Sequence, residues 1–231
     1  MKISIIVPVY HEEKNIEKTI KNISKKVKTS NEILVIYDSD DDPTLGVLKA
    51  IKNTYPSLKI IKNDVGNKKG VINAIKTGIS KSKGETILIT MADLSDDITQ
   101  VDQMQDLIKK GFDIVVASRY MKDGKKIGGP PFKTFLSRMA GATLFYIFRI
   151  PTHDATNAYK MYNKKIFRRI KIQSTGGFEY SLEIILKAHK LGHSITEIPT
   201  VWRDRDNGKS NFKLIKWLPN YIKAYMKALP F

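Results

Sequence analysis

The sequence predicts an α/β fold in which a mostly parallel sheet is flanked by helices. Two observations carry that expectation. Apolar β-type runs alternate with segments of helical periodicity through the first half of the chain, and three of those runs end in carboxylates. The most informative run is 87–97, where Ile87-Leu88-Ile89 passes into Thr90-Met91-Ala92-Asp93-Leu94 and then Ser95-Asp96-Asp97. A buried parallel strand ending in a carboxylate sets negative charge at the carboxyl edge of the sheet, where open α/β proteins bind nucleotides and metals.

Taken in order, 2–9 is an apolar strand leading into Tyr10-His11-Glu12-Glu13. Residues 15–27 place Ile16, Ile20, Ile23 and Val27 at the spacing of a helix face packed on a sheet. The strand at 32–37 runs into Asp38-Ser39-Asp40-Asp41-Asp42, a helix is expected near 44–54, and 58–61 reads as a short strand. A helix over 68–80 follows Gly66-Asn67, and the strand 86–90 begins just past Gly84. The helix 100–110 ends at Gly111, and the strand 113–117 delivers Ser118-Arg119-Tyr120. Each acidic strand end also suits a helix cap, but three together suggest one shared site.

The second half is less regular. Residues 124–131 read as a flexible basic loop, 132–149 as an apolar helix, and 158–162 as an edge strand. A helix over 178–191 stops at Gly192, and Pro199 interrupts the strand 194–202, which implies an edge or a bulge. A polar loop at 203–209 leads to an aromatic and basic segment, 212–228, kinked at Pro219.

At 231 residues the chain suits one α/β domain, 1–211, with a C-terminal amphipathic segment, 212–231. The absence of cysteine excludes disulfides, thiolate metal sites and a cysteine nucleophile, and fits a reducing compartment. The amino terminus opens on a strand and is read as carrying no secretory signal. The apolar run 139–148 is too short to span a bilayer, which takes about 20 residues. A net charge of +17 calls for an anionic partner. Nucleic acid is not the expected partner, because no reading motif accompanies the charge.

The ordered set Ile6-Val7-Pro8-Val9-Tyr10-His11-Glu12, Asp38 with Asp42, Ala92-Asp93-Leu94, Ser118-Arg119-Tyr120, and Arg205 with Gly208 and Ser210 resembles the family 2 glycosyltransferases of GT-A fold, the nucleotide-diphospho-sugar transferase fold. Within that family it looks most like the polyprenyl (dolichyl) phosphate mannose synthase and glucosyltransferase branch. The resemblance runs from Met1 to about residue 213. It implies inverting transfer of a hexose from a GDP- or UDP-linked nucleotide sugar, with Mg²⁺ or Mn²⁺ bridging the diphosphate. Carried over, Pro8, Tyr10, Glu12 and Asp38 line the nucleoside pocket, and Asp93 is the metal-binding carboxylate of the family's Asp-Xaa-Asp motif. Met91 stands where the motif's first Asp is expected, and a thioether is a poor ligand for a hard cation. Asp96 or Asp97 could compensate or could cap the next helix. Tyr37 replaces an Asp that many relatives carry before Asp38.

In that branch the acceptor is a lipid phosphate, already anionic, so cations position it and no base is needed. Arg119 and Arg138 are the resembling positions, and a guanidinium donates to phosphate in a fork. Arg205 and Lys209 resemble a mobile loop that closes on the donor diphosphate. A sugar-hydroxyl acceptor would instead require a base, for which Asp154 is the candidate, ahead of His153. The apolar helix 132–149 and the tail 212–231 suit the surface of an anionic membrane, although both equally suit packing on the core or a dimer contact. The expectation is therefore a cytoplasmic enzyme, peripheral on the membrane face, with a polyprenyl phosphate acceptor. Two other readings stay open: a soluble transferase with a glycan hydroxyl acceptor in polysaccharide or glycolipid synthesis, and a non-catalytic nucleotide-sugar binding protein. Donor base, sugar and oligomeric state are left undetermined.

Overall fold

The computed structural model describes residues 1–64, 69–204, 219, 221–222 and 225–226. The first half alternates as expected: β1 (Ile3–Pro8), α1 (Ile16–Lys26), β2 (Asn31–Tyr37), α2 (Thr44–Ile51), β3 (Leu58–Lys62), α3 (Val71–Lys81), β4 (Thr86–Ile89), α4 (Val101–Lys109) and β5 (Ile114–Ser118). Then come β6 (Lys125–Ile127), α5 (Pro131–Tyr146), β7 (Lys160–Asn163), α6 (Tyr180–Lys190), β8 (Ile195–Pro199) and β9 (Val201–Arg203).

The main sheet has seven strands in the order β3-β2-β1-β4-β7-β5-β8, and β6 pairs with β9 in a separate ribbon. All pairings in the main sheet are parallel except those of β7, which runs antiparallel to both β4 and β5. Strand alternation sends side chains to two cores. Ile3, Ile5 and Val7 of β1 meet Ile16, Ile20 and Ile23 of α1, Leu45 and Leu48 of α2, and Val101, Met104 and Ile108 of α4. On the other face Ile6, Leu34 and Ile36 meet Ile72 and Ile75 of α3, Leu144 of α5 and Ile184 and Ile185 of α6. The sheet is thus covered on both sides, as its near-continuous apolar strands require.

Two expectations are corrected. The segment at 158–162, expected at an edge, contributes β7, which lies inside the sheet between β4 and β5. Its polar residue, Lys160, is fully buried, with Nζ donating to the Ala155 carbonyl at 3.0 Å and also to Asn157 O and Ser181 Oγ. Those acceptors let a charged side chain occupy a central strand. The basic stretch 124–131 is not only a loop, because β6 pairs in parallel with β9. The strand broken at Pro199 divides as anticipated, β8 taking a sheet edge and β9 joining the ribbon.

The run Asp40-Asp41-Asp42 separates into different contacts. Asp40 pairs with Lys62, which lowers its carboxyl pKa. Asp42 is buried and accepts from the Thr44 amide at 2.9 Å and the His11 amide at 3.2 Å, which ties the β1 loop to the start of α2.

Glu32 lies opposite Ser4 in the β1–β2 register. Its side chain is 2% exposed and accepts from Ser4 Oγ at 2.6 Å, Lys59 Nζ at 2.5 Å and the Lys83 amide at 2.6 Å. Burial alone would raise its pKa, but the bonds from Lys59, Ser4 and Lys83 prevail and hold it at about 2, against an ordinary 4.5. A depressed folded-state pKa adds stability above the unfolded value and loses it as pH falls. We therefore expect Glu32→Gln to cost about 2 kcal/mol at neutral pH. In chemical denaturation across a pH series, the gap from wild type should persist down to pH 4.5 and close as the pH falls toward 2.

Candidate functional site

The carboxyl ends of β1, β2, β4 and β5 share one edge of the sheet, and the reversed β7 begins there. Their extensions border a cavity of about 920 Å³ whose lining includes Pro8, Tyr10, Glu12, Asp38, Asp93 and Arg119. Six residues singled out from separate strand ends therefore face one space. Just past β1 and β4 the backbone turns through left-handed positions at His11 (φ 55) and Leu94 (φ 64), conformations that cost a non-glycine residue about 1 kcal/mol.

Asp38 accepts from Asn63 Nδ2 and from the Gly70 amide, each at 2.7 Å. Gly70 holds φ +125, a conformation that side chains rarely adopt, so glycine is what lets its amide reach the carboxylate there. Asn15 Nδ2 donates to Glu12 at 2.9 Å. In the β4 loop the Ser95 amide donates to Asp93 at 3.1 Å, and Asp97 accepts from the Thr99 amide at the entry to the α4 region. Asp96 bonds back to the end of β4. It accepts from Thr90 Oγ1 at 2.7 Å and the Met91 amide at 3.3 Å, and it lines the cavity beside Asp93. Burial, with the Asp93 charge adding to it, pushes Asp96 up to about 7.

Arg119 enters the cavity wall from the end of β5, with Asp154 buried behind it. The pair is bidentate, Nε to Oδ2 at 2.6 Å and Nη2 to Oδ1 at 2.8 Å, and the Arg119 amide donates to Oδ2 at 3.0 Å. Burial would lower the guanidinium pKa, but the Asp154 charge and hydrogen bonds raise it, so the group stays cationic. Both Asp154 oxygens are thus engaged by Arg119.

Helix α5 docks on the turn that carries Asp154. A Cβ on Gly141 would stand 1.9 Å from the His153 carbonyl oxygen, so only glycine allows this approach. Phe145 stacks on the His153 ring at 3.8 Å, and Glu197 on β8 receives His153 Nδ1 at 2.5 Å and its amide at 2.8 Å. Seated this way, α5 presents Lys133, Leu136, Ser137 and Ala140 to the cavity, a spacing of one helix face. Arg138, expected to accompany Arg119, is exposed and is absent from that lining, one residue and about 100° around the helix from Ser137. Tyr221 and Tyr225 border the cavity as well, and Tyr225 donates to Thr143 of α5 at 2.7 Å. Arg205, Lys209 and most of 212–231 lie outside the described residues.

A model of glycosyl transferase family 2 matches residues 4–171. The chain belongs to this family. It is 27% identical over 218 residues to a dolichol-phosphate mannosyltransferase of Pyrococcus furiosus, covering 92% of this chain and 60% of that protein. It is 26% identical to a dolichyl-phosphate beta-glucosyltransferase of Trichomonas vaginalis, covering 96% of this chain and 72% of the relative. Among solved structures, glucosyl-3-phosphoglycerate synthase from Mycobacterium tuberculosis, in complex with Mn²⁺, UDP-glucose and phosphoglyceric acid, superimposes with a TM-score of 0.74 at 14% identity, covering 100% of this chain and 81% of that one. At that identity the likeness establishes the fold, which is the GT-A fold expected from the sequence.

For this family 2 domain the residues present fit a divalent cation. Two neighbouring carboxylates, Asp93 and Asp96, place at the strand end the hard oxygen donors that such an ion takes. Among the described residues no group of three or more His, Asp or Glu is arranged to hold a metal, so these two carboxylates would supply only part of the oxygen shell such an ion takes. Sequence reasoning missed Lys133 and Ser137, whose i, i+4 spacing was the available signal, and Lys126, which no local pattern marks.

Because Asp154 neutralises a buried guanidinium, we expect Asp154→Asn to destabilise the fold by about 3 kcal/mol, read from urea denaturation, with Asp154→Glu less damaging.

Proposed function

We propose that the chain is an inverting hexosyltransferase that moves a sugar from a GDP- or UDP-linked nucleotide sugar to a polyprenyl phosphate of dolichyl type at an anionic membrane surface. One observation carries this reading. A single cavity combines carboxylates from the ends of β2 and β4 with Arg119, Lys133 and Ser137, and with the apolar side chains Leu136, Phe178, Leu182 and Ile222. The first set suits a nucleoside and a cation, and the second a phosphate on an apolar tail. Relatives named for mannosyl and glucosyl transfer to dolichyl phosphate support the same acceptor class.

In this reading Pro8, Tyr10, Glu12 and Asp38 receive the nucleoside, and the family resemblance gives Arg205 and Lys209 to the donor diphosphate. Asp93, with Asp96 beside it, would hold Mg²⁺ or Mn²⁺, which when bound neutralises the leaving diphosphate. Arg119 positions the acceptor. Asp154 engages its Nε and Nη2, which leaves Nη1 for a phosphate oxygen. An oxygen of the acceptor monoester attacks the anomeric carbon on the face opposite the diphosphate. The carbon–oxygen bond to the donor breaks, and its electron pair leaves with the nucleoside diphosphate. The attacking oxygen is already anionic, so no proton has to be removed. Asp154, the base that a hydroxyl acceptor would call on, serves here as the counter-ion of Arg119.

Membrane placement rests on charge and on one face of α5. Phe132, Phe135, Met139 and Tyr146 are exposed large apolar residues on that helix, and the chain carries a net charge of +17. Each lysine close to an anionic surface adds about 1 kcal/mol. Among the described residues no helix is long and apolar enough to cross a membrane.

The reading is tested by calorimetry of GDP, UDP and their sugar conjugates with and without Mn²⁺, followed by transfer assays with farnesyl phosphate and with free glycans. We expect selective, metal-dependent nucleotide binding that falls at least tenfold in Asp93→Ala, and transfer to the lipid phosphate alone. Absence of nucleotide binding under every condition would remove the proposal, and turnover with a glycan hydroxyl would replace the acceptor.

A further inference from the structure

Lys126 has no role in the site as described so far. It lies in β6, opposite Trp202 of β9, in the wall that Arg119, Gly129 and Lys133 also form. Its ammonium donates to Thr134 Oγ1 at 2.6 Å, in the first turns of α5, and sits 5.3 Å from the centroid of the Trp202 ring. Among the described residues it makes no ion pair: its hydrogen-bond partner is a neutral hydroxyl. Burial pushes its pKa down, and repulsion from Arg119 adds to that, with Asp204 and Asp154 only partly opposing. Arg119 differs in having its own carboxylate, at 2.6 Å.

A partly buried cation held by a hydroxyl and an aromatic ring is undercompensated until an anion arrives. The ribbon and α5 fix where that anion must come from, because Thr134 and Trp202 hold the ammonium in the cavity wall rather than in open solvent. The structure assigns Lys126 to a phosphate group of the reactants, as a further cation beside Arg119 and Lys133 that binds a phosphoryl oxygen. The assignment rests on the transferase reading and deepens it. Phosphate could come from the donor diphosphate or from the acceptor monoester, and the two arms of the test separate them.

Lys126→Met keeps the length of the stem over Trp202 and removes the charge. Lys126→Arg keeps the charge, and Thr134→Val removes the hydroxyl partner alone. Binding of GDP and UDP forms one arm and binding of farnesyl phosphate the other, each followed by calorimetry at low and at physiological ionic strength, with KM and kcat for both substrates. We expect Lys126→Met to weaken one arm by about tenfold and flatten its salt dependence, leaving the other arm within about twofold. Lys126→Arg should stay close to wild type in both arms. Unchanged binding in both arms, or the same loss in Thr134→Val, would overturn the assignment and leave Lys126 a structural strut. Equal loss in both arms together with a lower melting temperature would overturn it too. Wild-type protein that binds neither ligand would overturn the transferase reading and this assignment together, whereas wild-type binding unaffected by Lys126→Met removes the assignment alone.

Discussion

Burying the Lys160 ammonium inside the sheet, against the carbonyls of Ala155 and Asn157 and the Ser181 hydroxyl, forces the chain just before β7 into a closed turn at the sheet edge. Burial presses its pKa down to about 7, with Asp154 opposing and Arg119 reinforcing the shift. Such a group is tolerated only where its bonds are complete. The turn it closes carries Asp154, which holds Arg119, and Asn157, which lines the cavity and donates through Nδ2 to the Ala117 carbonyl at 2.7 Å. Reversing one strand is what makes this possible. A parallel β7 would start at the opposite edge of the sheet and take the turn away from the carboxylates.

That arrangement keeps two charge environments distinct within one cavity. Asp38 accepts only from neutral donors in these bonds, the Asn63 side-chain amide and the Gly70 backbone. Arg119 is paired with a buried carboxylate, so it enters the wall as a cation with part of its hydrogen-bonding capacity committed. The pairing has an energetic reason. An isolated guanidinium at this depth would be penalised by desolvation, and a guanidinium fixed by Asp154 is already oriented before any ligand arrives.

Much of this was legible in the sequence, and the parts that were not share a cause. The alternation of strands and helices up to β5, and the convergence of Pro8, Tyr10, Glu12, Asp38 and Asp93, follow from local patterning, because parallel strands separated by helices place their carboxyl ends together. The place of β7 was hidden because Lys160 makes a central strand look half-exposed, and its compensating partners lie up to 21 residues away. Helix α5 misled for a different reason. It is apolar on both its cavity face, at Leu136 and Ala140, and its outer face, at Phe135 and Met139. Hydrophobic periodicity then fails to orient the helix, and Arg138 lies off the cavity face that Lys133 occupies. What settles the rotation is Gly141 against the His153 carbonyl, a contact between segments that no window of sequence contains.

The β4 loop shows how a missing motif residue is answered in space. Met91 brings no charge to the strand end, and its side chain packs against the core beneath the α3, α5 and α6 face. The left-handed turn at Leu94 reverses the chain within a few residues, so that Asp96 returns to accept from the Met91 amide and from Thr90 Oγ1. A carboxylate from five positions later thus lies beside the backbone of position 91. The two acids interact electrostatically, the Asp93 charge adding to burial in raising Asp96. Two carboxylates at one strand end repel each other until a cation or a proton intervenes. The left-handed turn at Leu94 brings the two acids to one strand end despite that repulsion, a juxtaposition that backbone geometry produces and no local sequence pattern marks.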